Sequence, residues 1–190
     1  MNYVDLIAAY VPQCEQEKAD RALMLDAAER LGDRILTRDS ELMHFTASSM
    51  IINRERTRVL MAYHNIYQSW AWTGGHADGD GDLEAVALRE AREETGIEHL
   101  VPLSEKPVSL EILHVLKHIR RGKYVPTHLH LNVSFALLGD ERDEIASKPD
   151  ENASVGWIPI SEISKRVSEP TMIPVYEKIL AQMQKMEIRP

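Results

Sequence analysis

One short segment, Leu83–Thr95, constrains the fold more than any other because its apolar and acidic side chains share one helical stripe. At about 100° per residue, three apolar side chains lie within about a quarter turn of one another: Leu83, Val86 and Ala87. Three glutamates continue the same stripe toward the C-terminus: Glu90, Glu93 and Glu94. An apolar stripe packs against another layer of the protein, so these carboxylates are turned toward the interior.

Such a carboxylate cluster is unfavourable without a partner. Like charges three and four residues apart repel each other, and the C-terminal end of a helix disfavours anions. Either the neighbouring Arg89 and Arg92 leave the cluster as a solvated acidic helix end, or a divalent cation binds it. Glutamate oxygens suit Mg²⁺ or Mn²⁺, ions that commonly share their coordination shell with substrate phosphates.

The elements around this helix predict a mixed α/β sandwich. Alternating patterns predict strands over residues 57–64, 106–119 and 127–138, and β-forming residues predict another over 44–52. A short strand is also predicted over 155–158, before Pro159. Helical patterns cover residues 15–31, 83–95, 161–167 and 170–186. A loop rich in glycine and aspartate, residues 74–82, precedes the central helix, and a boundary near residues 37–43 separates the N-terminal helix from the strands.

The segment Gly75–Ile97 resembles the Nudix box, in which a glycine precedes a glutamate and then a helix carrying Arg-Glu and Glu-Glu pairs. Gly75 matches the first position, and residues 89–97 match the last nine. One position departs from the box, because Gly81 stands where its first glutamate belongs; Asp80 and Asp82 flank it at shorter reach. The resemblance extends over roughly residues 40–180. It implies a Nudix-like α/β/α sandwich with a mixed sheet over residues 40–190, preceded by an N-terminal helical extension, residues 1–39.

The resemblance implies a hydrolase that cleaves a diphosphate linked to another group. The implied ligands of Mg²⁺ or Mn²⁺ are Glu90, Glu93, Glu94 and a backbone carbonyl near Gly75. Arg89 is expected to orient the glutamates, and Glu93 is our choice for the carboxylate that takes a proton from the attacking water. The divalent ions would reverse the repulsion between the carboxylates and the substrate's phosphates.

A further carboxylate in such proteins often comes from a loop before the late strand. Glu151, six residues before Trp157, is our choice, and its rivals are Asp150, Glu144 and Glu141. The alternative for Glu151 is a solvated loop position.

Four residues near the box are candidate substrate contacts: His76, Trp72, His128 and His130. His76 follows the double glycine and either reaches phosphate or makes a loop hydrogen bond, whereas Trp72 either stacks on a base or joins the core. His128 and His130 share the polar face of the strand at 127–138, which contacts substrate or faces solvent. They also suit a transition metal, but the sequence offers no third ligand at recognisable spacing.

Composition limits the partners. A net charge of −8 disfavours bulk nucleic acid and anionic membranes. No apolar run approaches a membrane span, and the N-terminus lacks a basic region typical of signal peptides. With Cys14 as the single cysteine, no internal disulfide forms. We expect a cytoplasmic protein that acts on a small phosphorylated molecule, and an N-terminal helix that either caps the sheet or forms a homodimer interface.

Three other functions remain open at this level. One is a catalytically impaired nucleotide sensor, in which Gly81 marks a degenerate box. Another is an enzyme similar to isopentenyl-diphosphate isomerase, which needs a catalytic cysteine where this chain offers only the distant Cys14. The third is a protein-interaction domain without a ligand. The box selects no particular substrate, because specificity in such a fold resides in the loops.

Overall fold

A mixed eight-stranded sheet is the central layer of the computed structural model, which describes residues 2–120 and 122–186. The strands are β1 (Met43–Ile52), β2 (Arg58–His64), β3 (Ser69–Ala71), β4 (Thr73–His76), β5 (Leu100–Pro102), β6 (Ser109–Val115), β7 (His118–Arg120), β8 (Lys123–Val125), β9 (His128–Gly139) and β10 (Asn152–Pro159). The helices are α1 (Tyr3–Ala9), α2 (Glu15–Leu31), α3 (Leu83–Thr95), α4 (Ile163–Arg166) and α5 (Ile173–Met183), with short 3₁₀ helices at Gly32–Leu36 and Ile160–Glu162.

Strand β1 organises the sheet. It runs parallel to β9 over its whole length, from Met43 opposite Leu129 to Ile52 opposite Leu138. It also pairs antiparallel with β2 and with the short β4. The order β10-β2-β1-β9-β5 forms the main path, β3, β4 and β6 join β2, β1 and β9 respectively, and β7 and β8 form a separate hairpin. The predicted mixed sheet between helices is therefore confirmed.

The two faces of the sheet carry separate hydrophobic clusters. On one face, Phe45 and Val133 pack with Val86 of α3 and with Ile7 and Met24 of the N-terminal helices. The other cluster is formed by residues of β1, β2 and α5, among them Met50, Met61, Tyr176 and Ile179. Because the N-terminal helices fill part of the first cluster, the segment predicted as an extension contributes directly to the core.

Several element boundaries differ from the sequence predictions. The strand predicted over 106–119 divides into β6 and β7, and the predicted loop at 74–82 begins with β4. The helix predicted over 170–186 is shorter, since α5 begins at Ile173 and ends at Met183. Helix α1 and the short strands β3 and β5 were not predicted, because segments of three to seven residues carry little periodicity. Residues 187–190 of the predicted domain lie outside the described residues.

Within the described ranges, none of the helices combines the length and the hydropathy that a membrane span requires.

Candidate active site

Helix α3 begins and ends where the sequence predicts. The Asp82 side chain caps its N-terminus by accepting a hydrogen bond from the N–H of Ala85 at 3.2 Å. Gly96 ends it in the left-handed conformation, with φ of 70°. Val86 and Ala87 are fully buried, and the Ser49 hydroxyl of β1 donates to the Ala87 carbonyl at 3.0 Å. These contacts fix the helix against the sheet, and with it the direction of its glutamates.

Glu90 lies directly against Gly75 of β4. A Cβ on Gly75 would come within 2.7 Å of both Glu90 carboxylate oxygens, which is closer than atoms approach without a shift. In this conformation of the Glu90 side chain, only a glycine fits at position 75. Burial raises the pKa of Glu90, and the charge of Glu93 acts in the same direction.

Glu94 is the most buried of the three helix carboxylates, with 6% of its surface exposed. Burial raises its pKa to about 8, and the charges of Glu90 and Glu151 act in the same direction. A buried carboxylate beside two others favours a bound cation. A divalent ion would offset both the cost of burying the charge and the repulsion between the carboxylates.

Lys148 links the helix to the late loop. Its ammonium nitrogen lies 3.4 Å from Glu93 Oε2 and 3.2 Å from Glu151 Oε2. The loop is thus folded back so that Glu151 faces the α3 carboxylates. Of its sequence rivals, Glu141 instead accepts a hydrogen bond from Asn53 at 2.7 Å. Lys148 was missed by the sequence analysis, since a lysine in an irregular loop carries no periodic signal.

Gly81, which stands where the Nudix box has its first glutamate, faces the N-terminal segment. A Cβ there would contact Tyr3 Cδ1 at 3.8 Å and Leu36 Cδ1 at 3.9 Å, so a longer acidic side chain would start against apolar groups. Asp80 instead lies 3.5 Å from Arg89 Nη1. An aspartate one residue earlier therefore pairs with the arginine of the helix, as the sequence analysis considered.

Comparison with protein-family models identifies the family of this chain. The model of the NUDIX domain matches residues 43–183, close to three quarters of the chain. This chain is a member of the Nudix family. The match begins at the first residue of β1 and ends at the last residue of α5, so it includes the whole sheet and helix α3. The predicted family and the Nudix-like α/β/α fold are confirmed.

Solved structures share this Nudix fold at low sequence identity. A hydrolase of the NUDIX family from Clostridium perfringens is 19% identical, with a TM-score of 0.50 over 72% of this chain and 95% of that one. The Ap4A hydrolase of C. elegans is 18% identical, with a TM-score of 0.51 over 74% and 97% of the two chains. The Nudix hydrolase RenU from M. smegmatis is 13% identical, with a TM-score of 0.53 over 77% and 89%. No curated protein matches the chain.

The residues of the Nudix box suit a hard divalent cation. Oxygen ligands are available from Glu90, Glu93 and Glu94, and the glycine at position 75 leaves the backbone of β4 open toward Glu90. The Lys148 ammonium between Glu93 and Glu151 shows that positive charge is favoured at this place. The donor set therefore fits Mg²⁺ or Mn²⁺, both of which prefer carboxylate and carbonyl oxygens.

The four candidate substrate contacts separate into two environments. Trp72 is partly buried and packs edge-on against Tyr176 at a centroid distance of 5.3 Å, within the second hydrophobic cluster. The three histidines, His76, His128 and His130, come together on one face of the sheet. His44 of β1 joins them and was missed, because its contact with β9 depends on a pairing more than 80 residues apart.

The polar face of β9 does not point to solvent. Asn132 is 1% exposed and accepts hydrogen bonds from Thr46 at 2.9 Å and Ser48 at 2.8 Å. Ser134, further along, is fully buried and donates to Glu111 at 3.3 Å. The solvent-facing alternative is therefore wrong: partners on β1 and β6 satisfy the polar groups, which lets the face be buried.

Cys14 is exposed and directly precedes helix α2. It belongs to a segment that packs near β6 rather than near α3, which gives no support to the isomerase alternative.

Proposed function

We propose that this Nudix protein is a Mg²⁺- or Mn²⁺-dependent hydrolase of a diphosphate linkage in a nucleoside diphosphate derivative or a related metabolite. The observation that carries the proposal is the convergence of the α3 carboxylates with Glu151, held by Lys148 at 3.2 and 3.4 Å. Membership of the NUDIX domain family supports a hydrolase, and the C. elegans neighbour is named an Ap4A hydrolase.

Each acidic residue has a distinct role in this proposal. Glu90 and Glu94 are the more buried carboxylates, and together with Glu93 and the Gly75 carbonyl they would hold the metal. The bound ion would supply charge neutralisation and a lowered water pKa. Glu93, whose side chain is 47% exposed, and Glu151, 32% exposed, are reached by solvent and are the carboxylates that would accept a proton from water.

Arg89 has a positioning role. It pairs with Asp80 on the loop, and its charge lowers the pKa of Glu90 against the larger opposing effect of burial. Arg89 therefore favours the ionised form of the carboxylate that lies against Gly75.

The test is release of phosphate or nucleoside monophosphate from a panel of nucleoside diphosphate derivatives, with Mg²⁺, with Mn²⁺ and with EDTA. We expect turnover only with a divalent ion, and a loss of roughly 100-fold or more in kcat for Glu93→Gln. Glu98→Gln, which changes an exposed glutamate just beyond the helix, is the control and should retain wild-type rates. Full turnover of Glu93→Gln, or turnover that EDTA leaves unchanged, would refute the mechanism.

A further inference from the structure

Four histidines from three strands meet on the sheet face opposite α3. They are His44 of β1, His76 of β4, and His128 and His130 of β9. The strand register brings them together, since His44 lies opposite His130 and Thr46 lies opposite His76. Neighbouring rings within this histidine cluster have centroids 4.9 to 5.1 Å apart.

Ring nitrogens of the cluster lie close together. One ring nitrogen from each of His44, His76 and His130 lies within 4.8 Å of those of the other two. The fourth ring also belongs to this arrangement, because His128 Nε2 lies 3.2 Å from His130 Nε2. Two imidazole ligands of a tetrahedral Zn²⁺ stand about 3.3 Å apart, given Zn–N distances of about 2.0–2.1 Å. The closest pair therefore has the spacing of two ligands of one metal ion, which is also the spacing of a hydrogen bond between two imidazoles.

Backbone carbonyls fix which nitrogen of two of these rings is available. His44 Nδ1 lies 3.0 Å from the Ser40 carbonyl, and His128 Nδ1 lies 2.9 Å from the Pro126 carbonyl. A carbonyl only accepts hydrogen bonds, so each Nδ1 carries the proton, and in the neutral ring Nε2 keeps its lone pair. Metal-binding histidines are commonly oriented by this second hydrogen bond.

His44 presents an unsatisfied nitrogen to the cluster. His44 is 4% exposed, and its Nε2 is buried with no hydrogen-bond partner among the described residues. Buried polar atoms in proteins are nearly always paired, so this atom calls for a partner that the polypeptide does not supply. A metal ion between the rings would accept its lone pair.

We propose that His44, His76, His128 and His130 form a binding site for a transition-metal cation of the Zn²⁺ class. An all-imidazole set selects Zn²⁺, Co²⁺, Ni²⁺ or Cu²⁺ and disfavours Mg²⁺, which prefers oxygen. This site is separate from the carboxylates of the box. Gly75 and His76 are adjacent in β4 and point to opposite faces of the sheet, and Gly75 is the one that faces Glu90.

A metal ion bound by these histidines would cross-link strands β1, β4 and β9. Strand β4 is four residues long and carries Gly75, so a metal bound at His76 would fix the strand that supports the carboxylate site. Metal that binds the folded chain and not the unfolded one raises the melting temperature. The proposal does not depend on the hydrolase activity.

The experiment uses the full-length chain without an affinity tag, stripped of metal and held in excess Mg²⁺. Co²⁺ is titrated while its visible absorption is recorded, and Zn²⁺ is then titrated by calorimetry in competition. We expect one Co²⁺ per chain with the intense visible bands of tetrahedral coordination, and displacement by Zn²⁺. A wild-type chain that yields no such spectrum would overturn the proposal.

Variants locate the binding. His76→Gln and His130→Gln should each weaken Co²⁺ binding by roughly tenfold or more and reduce the rise in melting temperature on adding Zn²⁺. His114→Gln, an exposed histidine of β6, should bind Co²⁺ like the wild type. Circular dichroism establishes whether each variant is folded. If a variant does not fold, the Co²⁺ absorption spectrum of the wild-type chain still tests the proposal. Wild-type Co²⁺ affinity in both folded cluster variants would refute the assignment.

A second background keeps this test apart from the proposed hydrolase. The triple variant Glu90→Gln, Glu93→Gln, Glu94→Gln removes the carboxylate ligands and leaves the four histidines in place. We expect it to keep tetrahedral Co²⁺ binding although it hydrolyses nothing. Loss of the Co²⁺ spectrum in a folded triple variant would place the ion at the carboxylates and overturn the histidine site, whatever the activity of the wild type.

Discussion

The absence or presence of a Cβ atom near α3 affects how its carboxylates are placed to bind a metal ion. In its observed conformation Glu90 lies against β4 because Gly75 has no side chain, and Glu94 is buried. Gly81 shows the opposite situation, since a Cβ there meets only ordinary contacts. The two glycines before α3 are therefore unequal, and substitution separates their roles.

Gly75→Ala should displace the Glu90 carboxylate and weaken Mg²⁺ and Mn²⁺ binding. The added Cβ would come within 2.7 Å of both carboxylate oxygens, so the side chain or the strand must move. Gly81→Ala should leave metal affinity unchanged, because its nearest neighbour would be 3.8 Å away. Mn²⁺ binding followed by electron paramagnetic resonance compares the two variants. Equal affinities would contradict the prediction that the close contact with Gly75 positions Glu90 for the ion.

The stability of the metal-free protein should fall as pH rises from about 4.5 to about 8. Burial raises the pKa of Glu94 to about 8 in the folded chain, against an ordinary value of 4.5. The folded state therefore keeps a proton that the unfolded state has released, and the difference amounts to roughly 3–5 kcal/mol across the window. Urea unfolding of metal-free protein at several pH values measures this slope. Glu94→Gln should flatten it, and an unchanged slope in that variant would contradict the assignment.

At the scale of elements, helix α2 covers the free edge of β6. The Asp20 carboxylate accepts the Ile112 N–H at 2.9 Å, and the Gln16 amide donates to the Leu110 carbonyl at 3.0 Å. Beside this edge, Glu17 and Glu111 are both buried and share Lys178 of α5. The N-terminal helix, the edge strand and the C-terminal helix are thus joined by side chains, which protects the edge from pairing with another chain.

The two buried carboxylates differ in their titration for a structural reason. Burial opposes ionisation of both, and Lys178 and the Ser109 hydroxyl favour it in both, but Glu17 also accepts the Gln13 N–H at 2.7 Å, and its pKa is lowered. The pKa of Glu111 remains raised by burial despite Lys178. Glu17 therefore carries the more stable negative charge of the pair.

Lys178→Met should destabilise the protein by about 3–5 kcal/mol, because it leaves two buried carboxylates without their cation. The ammonium nitrogen lies 3.0 Å from Glu17 Oε1 and 2.8 Å from Glu111 Oε1. Lys18→Met is the comparison, since Lys18 is 73% exposed in its pair with Glu15 and should cost less than about 1 kcal/mol. Chemical denaturation measures both. Similar losses in the two variants would contradict a buried ion pair that joins α2 to α5.

At the scale of the whole molecule, the boundary near residue 39 does not separate two independent cores. Tyr3, Ile7, Met24 and Ile35 are buried with Phe45 of β1 in one cluster. Removal of residues 1–39 would uncover this side of the sheet and the buried Glu111 together. The N-terminal segment therefore shares a hydrophobic cluster with the sheet.

A chain of residues 40–190 should fail to fold to the native state on its own. The apolar surface that the N-terminal helices cover would be exposed to water, at about 25 cal/mol for each Å². Circular dichroism melting and dye binding test this, and a peptide of residues 1–39 added in trans should restore a cooperative transition. A truncated chain that melts as cooperatively as the full-length protein would show that the segment is dispensable.

The sequence by itself determined the span of helix α3, its end at Gly96 and the alignment of its three glutamates, because each depends on neighbours within one or two turns. It also determined the two central strands, β9 through its long alternation of apolar and polar residues and β1 through its richness in β-forming residues. The match of residues 75–97 to the box indicated the Nudix family, which the domain comparison confirmed.

Only the tertiary structure decided which distant side chains meet. His44 joins His130 through a parallel pairing of β1 with β9, and Lys148 reaches Glu93 from 55 residues away. It also decided that the polar face of β9 is buried, because the partners of Asn132 lie on another strand. Such contacts depend on strand order and register, which short-range patterns do not encode, since a strand's periodicity gives its two faces but not its neighbours.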